Sequence, residues 1–534
     1  MNGTNPRPGS AGRITRAAID LRGLAAYWPP ATVTLLAVLV RSFIWLNSDV
    51  SWLLTLAEKV VGGARPYVDF SETNPPASIL LYVPAIMLSR ATGVSAECAL
   101  TILTFVAAFL CLVLVGRVLP GTVLAESREK LMLFALALAL LLILPGDNFA
   151  ERENIALMAV LPMLAVYAAR ANAIPVGAYL AGLAGMGGGI AVAIKPYFAF
   201  ALILPMLFVA WQRRSDLKAL AKVVFSPEHL TALLVVLTYG VLLIWVFSDY
   251  TQHTLPIVLT LYVPLKYSLL LMIGNPSVIL VAMLMIVSIF LGRSEFATPL
   301  IRVACLAALG FTGALIAQGK GWPYHGYPAV ALSLLILSLL LVKRLSLFRD
   351  TGGTVRAQAI DLGFGAALLA TLYALASFWL LQEPSRARLV TEVAQLVPVH
   401  PRIISIEGGP GVAFPLTRKL RGTAIGRTPF QWVSAFTNRM LTVGELDRGG
   451  THKILDPVLR HRLEEYARLD RQELADSIRT GKPDVVLIGG KVERLWALSH
   501  PEIAAALRAY RMAKTVDGVE IWLPRRPSGG LRQN

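Results

Sequence analysis

Long apolar runs separated by short polar links fill the chain from 27 to 381. Runs of roughly 17 to 25 apolar residues are long enough to cross a hydrocarbon layer as helices. Read in order, the pattern predicts eleven: 27–46, 97–116, 131–146, 154–170, 176–194, 197–212, 230–248, 268–291, 298–317, 326–342 and 359–381. A further stretch, 77–90, is apolar but short, and Pro84 interrupts it. Beyond Gln382 the pattern changes. Apolar runs shrink to strand length at 402–406, 484–488 and 519–523, with charged amphipathic helices expected at about 456–480 and 500–510. The fold class expected is a polytopic α-helical membrane protein of about 11 transmembrane helices with a C-terminal soluble α/β domain. Residues 1–26 form a cytoplasmic tail, 27–381 the membrane module and 382–534 the extracytoplasmic domain.

The segment 47–76, NSDVSWLLTLAEKVVGGARPYVDFSETNPP, breaks the apolar pattern first. Asp49 opens it where the chain is expected to leave the bilayer. Trp52, Leu53, Leu56 and Val60 then fall roughly on one face of a helix. Gly62-Gly63 ends that run, and Pro66, Pro75 and Pro76 forbid another long helix before Ala77. A structured loop on the membrane surface follows, part of a first outer loop over 47–96. It holds Asp49, Asp69 and Glu72 within reach of substrates.

Composition agrees with the pattern. The chain is 55% hydrophobic and 16% charged, against about 25% charged in soluble domains. Its net charge of +17 lacks the basic-aromatic interleaving of a nucleic-acid binder, so no nucleic-acid partner is expected. Cys98, Cys111 and Cys305 all lie in apolar stretches and suggest no disulfide framework. The basic residues instead speak about orientation. They gather in the N-terminal tail and in the links 117–130, 213–222 and 343–356. All four fall on one side only if 77–90 lies on the surface or re-enters without crossing. The N-terminus is then cytoplasmic, and the C-terminal domain, with 24 Lys and Arg against 16 Asp and Glu, lies outside, resting on anionic lipid. Such a chain is expected to be a multi-pass membrane protein.

That parity sends the chemistry to one face. A lone Asp49 is explained by solvation or by capping the next helix. The link Asp147-Asn148-Phe149-Ala150-Glu151-Arg152-Glu153 is harder to dismiss, because a short turn needs one or two polar residues and this one has four ionisable ones. Glu151 and Glu153 flank Arg152, spaced to reach a metal, a sugar or an acceptor nucleophile. Lys195 falls at a turn between two apolar helices, where snorkelling alone accounts for many lysines. Lys320, Trp322, Tyr324 and His325 form another outer loop, rich in phosphate donors and stacking aromatics, or else a simple interfacial anchor. His253 and Lys266 are weaker candidates. Gly408-Gly409-Pro410-Gly411 follows a strand but lacks the spacing of a dinucleotide fingerprint, and reads as a plain turn.

This layout resembles the GT-C superfamily of integral-membrane glycosyltransferases, and is similar to the protein O-mannosyltransferases and lipid A aminoarabinose transferases. The likeness rests on Asp49, on Gly62-Gly63-Ala64-Arg65-Pro66-Tyr67-Val68-Asp69-Phe70 followed by Asn74-Pro75-Pro76, on Glu151-Arg152-Glu153-Asn154-Ile155-Ala156, and on a terminal α/β domain with strands at 482–487 and 518–522. The second acidic motif has Glu151 where the oligosaccharyltransferase branch has Asp, and Asn74 stands where some relatives have a lysine. The resemblance implies inverting transfer of a hexose or pentose from a polyprenyl-phosphate-linked donor to a glycan, lipid or protein acceptor. Asp49 is then the general base, and Glu153 with Glu151 orients the acceptor. Asp69, Arg152, Lys195, Lys320, Tyr324 and His325 bind substrate, the cations stabilising the leaving phosphate. If a divalent cation (Mg2+ or Mn2+) takes part, Asp49, Glu151 and Glu153 are the ligands. Two rivals stand beside it. A transporter or lipid flippase would show repeats and broken helices at mid-membrane; a receptor with an outer sensor domain would leave Asp49 and Glu153 replaceable.

Overall fold

The computed structural model describes residues 27–119, 127–350, 355–381, 386–443 and 455–525. The expected cytoplasmic tail, 1–26, lies outside the described residues. Helix α1, Trp28–Phe43, starts on Pro29 and Pro30, whose fixed φ suits a first turn. The chain then bends by 84° into helix α2, Ser48–Val61. Asn47 sets that corner: its side-chain oxygen accepts from the Val50 amide at 2.8 Å, satisfying one of the first-turn N–H groups. Gly62 and Gly63 end α2, with Gly63 at φ +95. No helix forms again until Ala77–Leu80, followed by Val83–Thr92.

Each of the eleven apolar segments falls on helix, although 268–291 is divided at Gly274-Asn275. Five helices have the length and apolarity of a membrane crossing: α3 Ala96–Val118, α4 Arg152–Ala171, α5 Pro227–Trp245, α6 Pro299–Gln318 and α7, which begins at Pro323 and qualifies through Arg344. Counting α1 and α2 as one bent span gives six. The figure is lower than eleven in part because apolar helices such as Ala178–Ile194 and Pro276–Gly292 are 17 residues long, short of the ~20 that a straight crossing takes. Helices α4 and α7 are the most enclosed, and α5 is bare over most of its surface. A close approach ties α5 to Ala178–Ile194: a methyl group placed on Gly185 would sit 2.0 Å from the Glu228 carbonyl oxygen.

The C-terminal region is an α/β layer built on a five-stranded sheet in the order β2-β1-β3-β5-β4. Strands β1 (Arg402–Ile406), β2 (Thr423–Ala424) and β3 (Val485–Ile488) run parallel; β4 (Tyr510–Val516) and β5 (Val519–Pro524) pair antiparallel, with β5 against β3. Helix α8, Pro457–Gly481, and helix α9, Lys491–Ser499, flank it. The second expected amphipathic helix stops early, at Leu507, and the chain enters β4 at Tyr510. That strand lies at the sheet edge with only its two end residues buried, so it carries no alternating pattern to read.

This domain grips the segment 47–76. The Ser71 amide donates to the Arg427 carbonyl at 2.8 Å, and the Arg427 guanidinium donates to the Val68 carbonyl at 2.5 Å. Arg418 pairs with Glu97 at 2.6 Å and Glu58 at 3.1 Å. Phe414 meets the Trp52 ring edge-on at 5.3 Å, and Trp432, Val433 and Leu463 pack on Val258 and Leu261.

Candidate active site

Between the helical region and the α/β domain lies a cavity of about 1260 Å3. Its floor is set by two chain segments a hundred residues apart. Asn47 donates its amide N–H to the Asp147 carbonyl at 3.2 Å, and its side chain reaches Asn148 Oδ1 at 3.3 Å. Beyond them Ala150 adopts φ +61, a conformation costly for a residue with a Cβ. It is held there from both sides: the Asn154 side-chain oxygen accepts from its N–H at 3.1 Å, and the Tyr82 hydroxyl donates to its carbonyl at 3.0 Å. Asn154 is itself fixed by Leu141 and Tyr327. The turn ends with Glu151 as the residue before α4 and Glu153 in its first turn, where the helix dipole favours negative charge.

Here the two acidic motifs meet. Arg152 Nη2 lies 2.9 Å from Asp49 Oδ2 and 2.9 Å from Glu151 Oε1. The Tyr324 hydroxyl donates to the same Asp49 oxygen at 3.3 Å. Both contacts fall on Oδ2, so Asp49 Oδ1 carries neither, and the side chain keeps 31% exposure on the cavity wall. Glu153 sits in a second layer. It is 1% exposed, takes Lys195 Nζ on Oε1 at 2.5 Å, and lies 3.6 Å from His325 Nε2. Lys195 closes the group at 3.2 Å from that imidazole nitrogen, and its ammonium stands 5.5 Å from the centre of the Tyr324 ring. Lys195 lines the cavity, with Pro196 behind it ending the preceding helix.

The other expected residues divide. Tyr324 joins the site, stacked on Trp322 at 5.7 Å. His325 is buried behind Lys195. Lys320 borders the cavity, but its ammonium donates to the Tyr262 carbonyl and to the Leu265 carbonyl at 2.6 Å, tying down the 258–265 segment. Burial, helped by Lys266 and Arg439, lowers its pKa to about 8. Lys266 donates to the Ala317 carbonyl, and His253 is exposed beside Asp249. Glu72 is buried, accepting from Trp52 Nε1 at 2.7 Å and from Asn74, so it braces the loop. Asp69 is not brought to the cavity: exposed, it accepts from the Arg65 amide at 2.7 Å and closes a turn.

The three carboxylates that would hold a divalent cation each pair with a cation of the protein through one oxygen. Asp49 and Glu151 share the Arg152 guanidinium, and Glu153 holds Lys195. Among the described residues no group of three or more His, Cys, Asp or Glu is placed to hold a metal.

The sequence gives little warning of the cavity's far wall. Arg386, Glu407, the glycines after it, Phe430, Phe436, Arg439 and Glu493 all come from the α/β domain. The one local signal was the glycine run 408–411, whose reading as a plain turn leaves out the cavity it borders. Burial pushes the Glu407 carboxyl up to about 7, against the pull of Ser405 and two backbone N–H groups. No protein-family model matches the chain, and no curated protein matches it.

Proposed function

We propose that this chain is a GT-C-type membrane glycosyltransferase that moves a sugar from a polyprenyl-phosphate donor to an acceptor hydroxyl, with inversion. The reading includes eleven membrane crossings, a cytoplasmic N-terminus, and a cavity and α/β domain on the outer face of a bacterial inner membrane. One observation carries it. Asp49 is a carboxylate whose contacts from Arg152 and Tyr324 both fall on one oxygen, on a cavity wall that also carries Arg152 and Lys195. Asp49 Oδ1 accepts the proton of the acceptor hydroxyl as that oxygen bonds to the anomeric carbon from the face opposite the phosphate. The bond from the anomeric carbon to the phosphate oxygen breaks, and the electron pair leaves with the lipid phosphate. Arg152 and Lys195 offer cationic donors to that developing charge. Arg152 serves both ends, since its Nη2 also fixes the base.

Mass spectrometry of envelope glycans tests the reading. A deletion strain is expected to lose one sugar residue from a single glycan class and to regain it with the wild-type chain. Unchanged glycans in the deletion strain, or no release of polyprenyl phosphate by purified protein supplied with that strain's own donor lipids, would overturn it.

A further inference from the structure

We propose that the crevice at the carboxyl ends of β1 and β3 is an acceptor subsite, and that it takes a carbohydrate through Glu407 and Glu493. As an acceptor site it rests on the transferase reading; as a carbohydrate site it stands alone. Strands β1 and β3 are parallel neighbours, paired from Ile403 with Val485 to Ile406 with Ile488. From β1 the chain departs toward β2 on one side, and from β3 toward β4 and β5 on the other. Loops that diverge from adjacent parallel strands leave a gap between them, the usual ligand position in an open α/β sheet. Here the gap is kept bare by Gly408, Gly409, Gly411, Gly489 and Gly490. A methyl group on Gly409 would meet nothing within 4 Å.

Two acids border this glycine floor. Glu407 is 5% exposed and holds its own loop closed, accepting from Val412 at 2.7 Å and Ala413 at 3.0 Å. A Cβ built on Gly489 would lie 3.5 Å from Glu407 Cβ and 3.4 Å from Glu493 Cδ, and one on Gly408 would lie 3.8 Å from Glu493 Oε1. Both acids line the same cavity as Asp49, with Phe430 and Phe436 on its wall. The Glu407 loop runs on to Phe414, whose ring meets Trp52, and Trp52 is one helical turn from Asp49 on α2. A molecule seated in the crevice therefore lies close to the proposed base.

The charge of the crevice selects the class of ligand. A nucleotide pyrophosphate would favour the amino end of α9, but Glu493 already occupies its first turn and Glu407 faces it across the floor. Sugar hydroxyls suit the same groups: they donate to carboxylates, and the C–H face of the ring packs on aromatic side chains.

Titration calorimetry on the full-length protein in lipid nanodiscs tests this, with mannotriose, chitotriose and arabinotriose as probes. At least one should bind saturably, and both Glu493→Gln and Gly409→Leu should weaken it tenfold or more. Glu493 is half-buried and Gln keeps its size, and Gly409 has open space, so neither change threatens folding. The proposal is overturned if none of the three binds the wild type, if binding survives both changes, or if ADP occupies the crevice and Gly409→Leu displaces it. The two readings fail separately. A glycan-neutral deletion combined with Glu493-dependent trisaccharide binding removes the transferase and keeps the crevice. Glycan transfer that needs Asp49 but is indifferent to Gly409→Leu removes the crevice alone.

Discussion

The cavity wall around Asp49 and the packed layer beneath it around Glu153 use the same chemistry for different ends. Each has a carboxylate, a cation and an aromatic or imidazole neighbour. Asp49 keeps 31% exposure and one oxygen outside its ion pair, whereas Glu153 keeps 1% and has Lys195 at 2.5 Å. A carboxylate whose nearest cation is already seated on it, out of reach of the cavity, cannot meet an acceptor hydroxyl. In the proposed mechanism Asp49 reacts and Glu153 positions Lys195. The resemblance in sequence, which made Asp49 the base and had Glu153 orient the acceptor, carries no information about depth.

The largest test of that division is Asp49→Asn. Asparagine keeps the shape and can still receive Tyr324, but it cannot accept a proton. Glycan transfer should fall by about a hundred- to ten-thousandfold with expression and folding intact. Full activity in a strain lacking the wild-type chain would remove Asp49 from the chemistry. Lys195→Met ranks next. It takes a cation from the cavity wall and leaves Glu153 buried beside His325 alone, so the transfer rate should drop by roughly a hundredfold. Burial of an unpaired acid should also lower stability. A thermal-melt comparison with the double change Lys195→Met, Glu153→Gln separates the two losses: the double variant should recover the melting temperature and not the rate.

Glu407 sharpens the comparison, because it is a buried acid held by the Val412 and Ala413 backbone amides where Glu153 is held by a lysine. Its pKa rises to about 7 from an ordinary 4.5, with burial as the largest cause and Arg386 only a weak opposing charge. A raised carboxyl pKa means that the folded state prefers the protonated form. Its contribution is therefore fully present below about 4.5 and lost as pH climbs through 7. The slope of melting temperature against pH should be negative between pH 5 and 7, and Glu407→Gln should flatten it by an amount on the order of 1–3 kcal/mol across that window. A parallel slope in the variant would mean that another group titrates.

Much of this arrangement was readable along the chain. The length of the apolar runs marked each helical segment, the Gly62-Gly63 stop and the Pro75-Pro76 restart fixed the ends of the loop, and the surplus of charge at 147–153 pointed to the second acidic motif. These are local signals. What stayed hidden depends on distant partners. Nothing near Glu153 in sequence announces Lys195 or His325, and the edge strand β4 lacks alternation because only its ends are covered. Length is a looser signal: the 16- and 17-residue helices Trp28–Phe43 and Pro276–Gly292 are shorter than the apolar runs they fall on.

Asp69 gives the comparison its lower limit. It belongs to the Gly62–Phe70 motif that carried the resemblance, and it was expected to bind substrate alongside Asp49. In the structure it is exposed and receives the Arg65 amide at 2.7 Å, four residues back along the chain. An asparagine there can still accept that hydrogen bond, since its side-chain oxygen occupies the same place. Asp69→Asn should leave transfer within about twofold of wild type and change stability by under roughly 0.5 kcal/mol, the range of ordinary surface substitutions. Asp69→Ala, which removes the acceptor, should lower the melting temperature by a few degrees at most, still without a change in rate. A tenfold loss of transfer in Asp69→Asn would place this carboxylate in contact with a substrate. The working site would then extend along the loop from Asp49 to Asp69, well beyond the cavity wall.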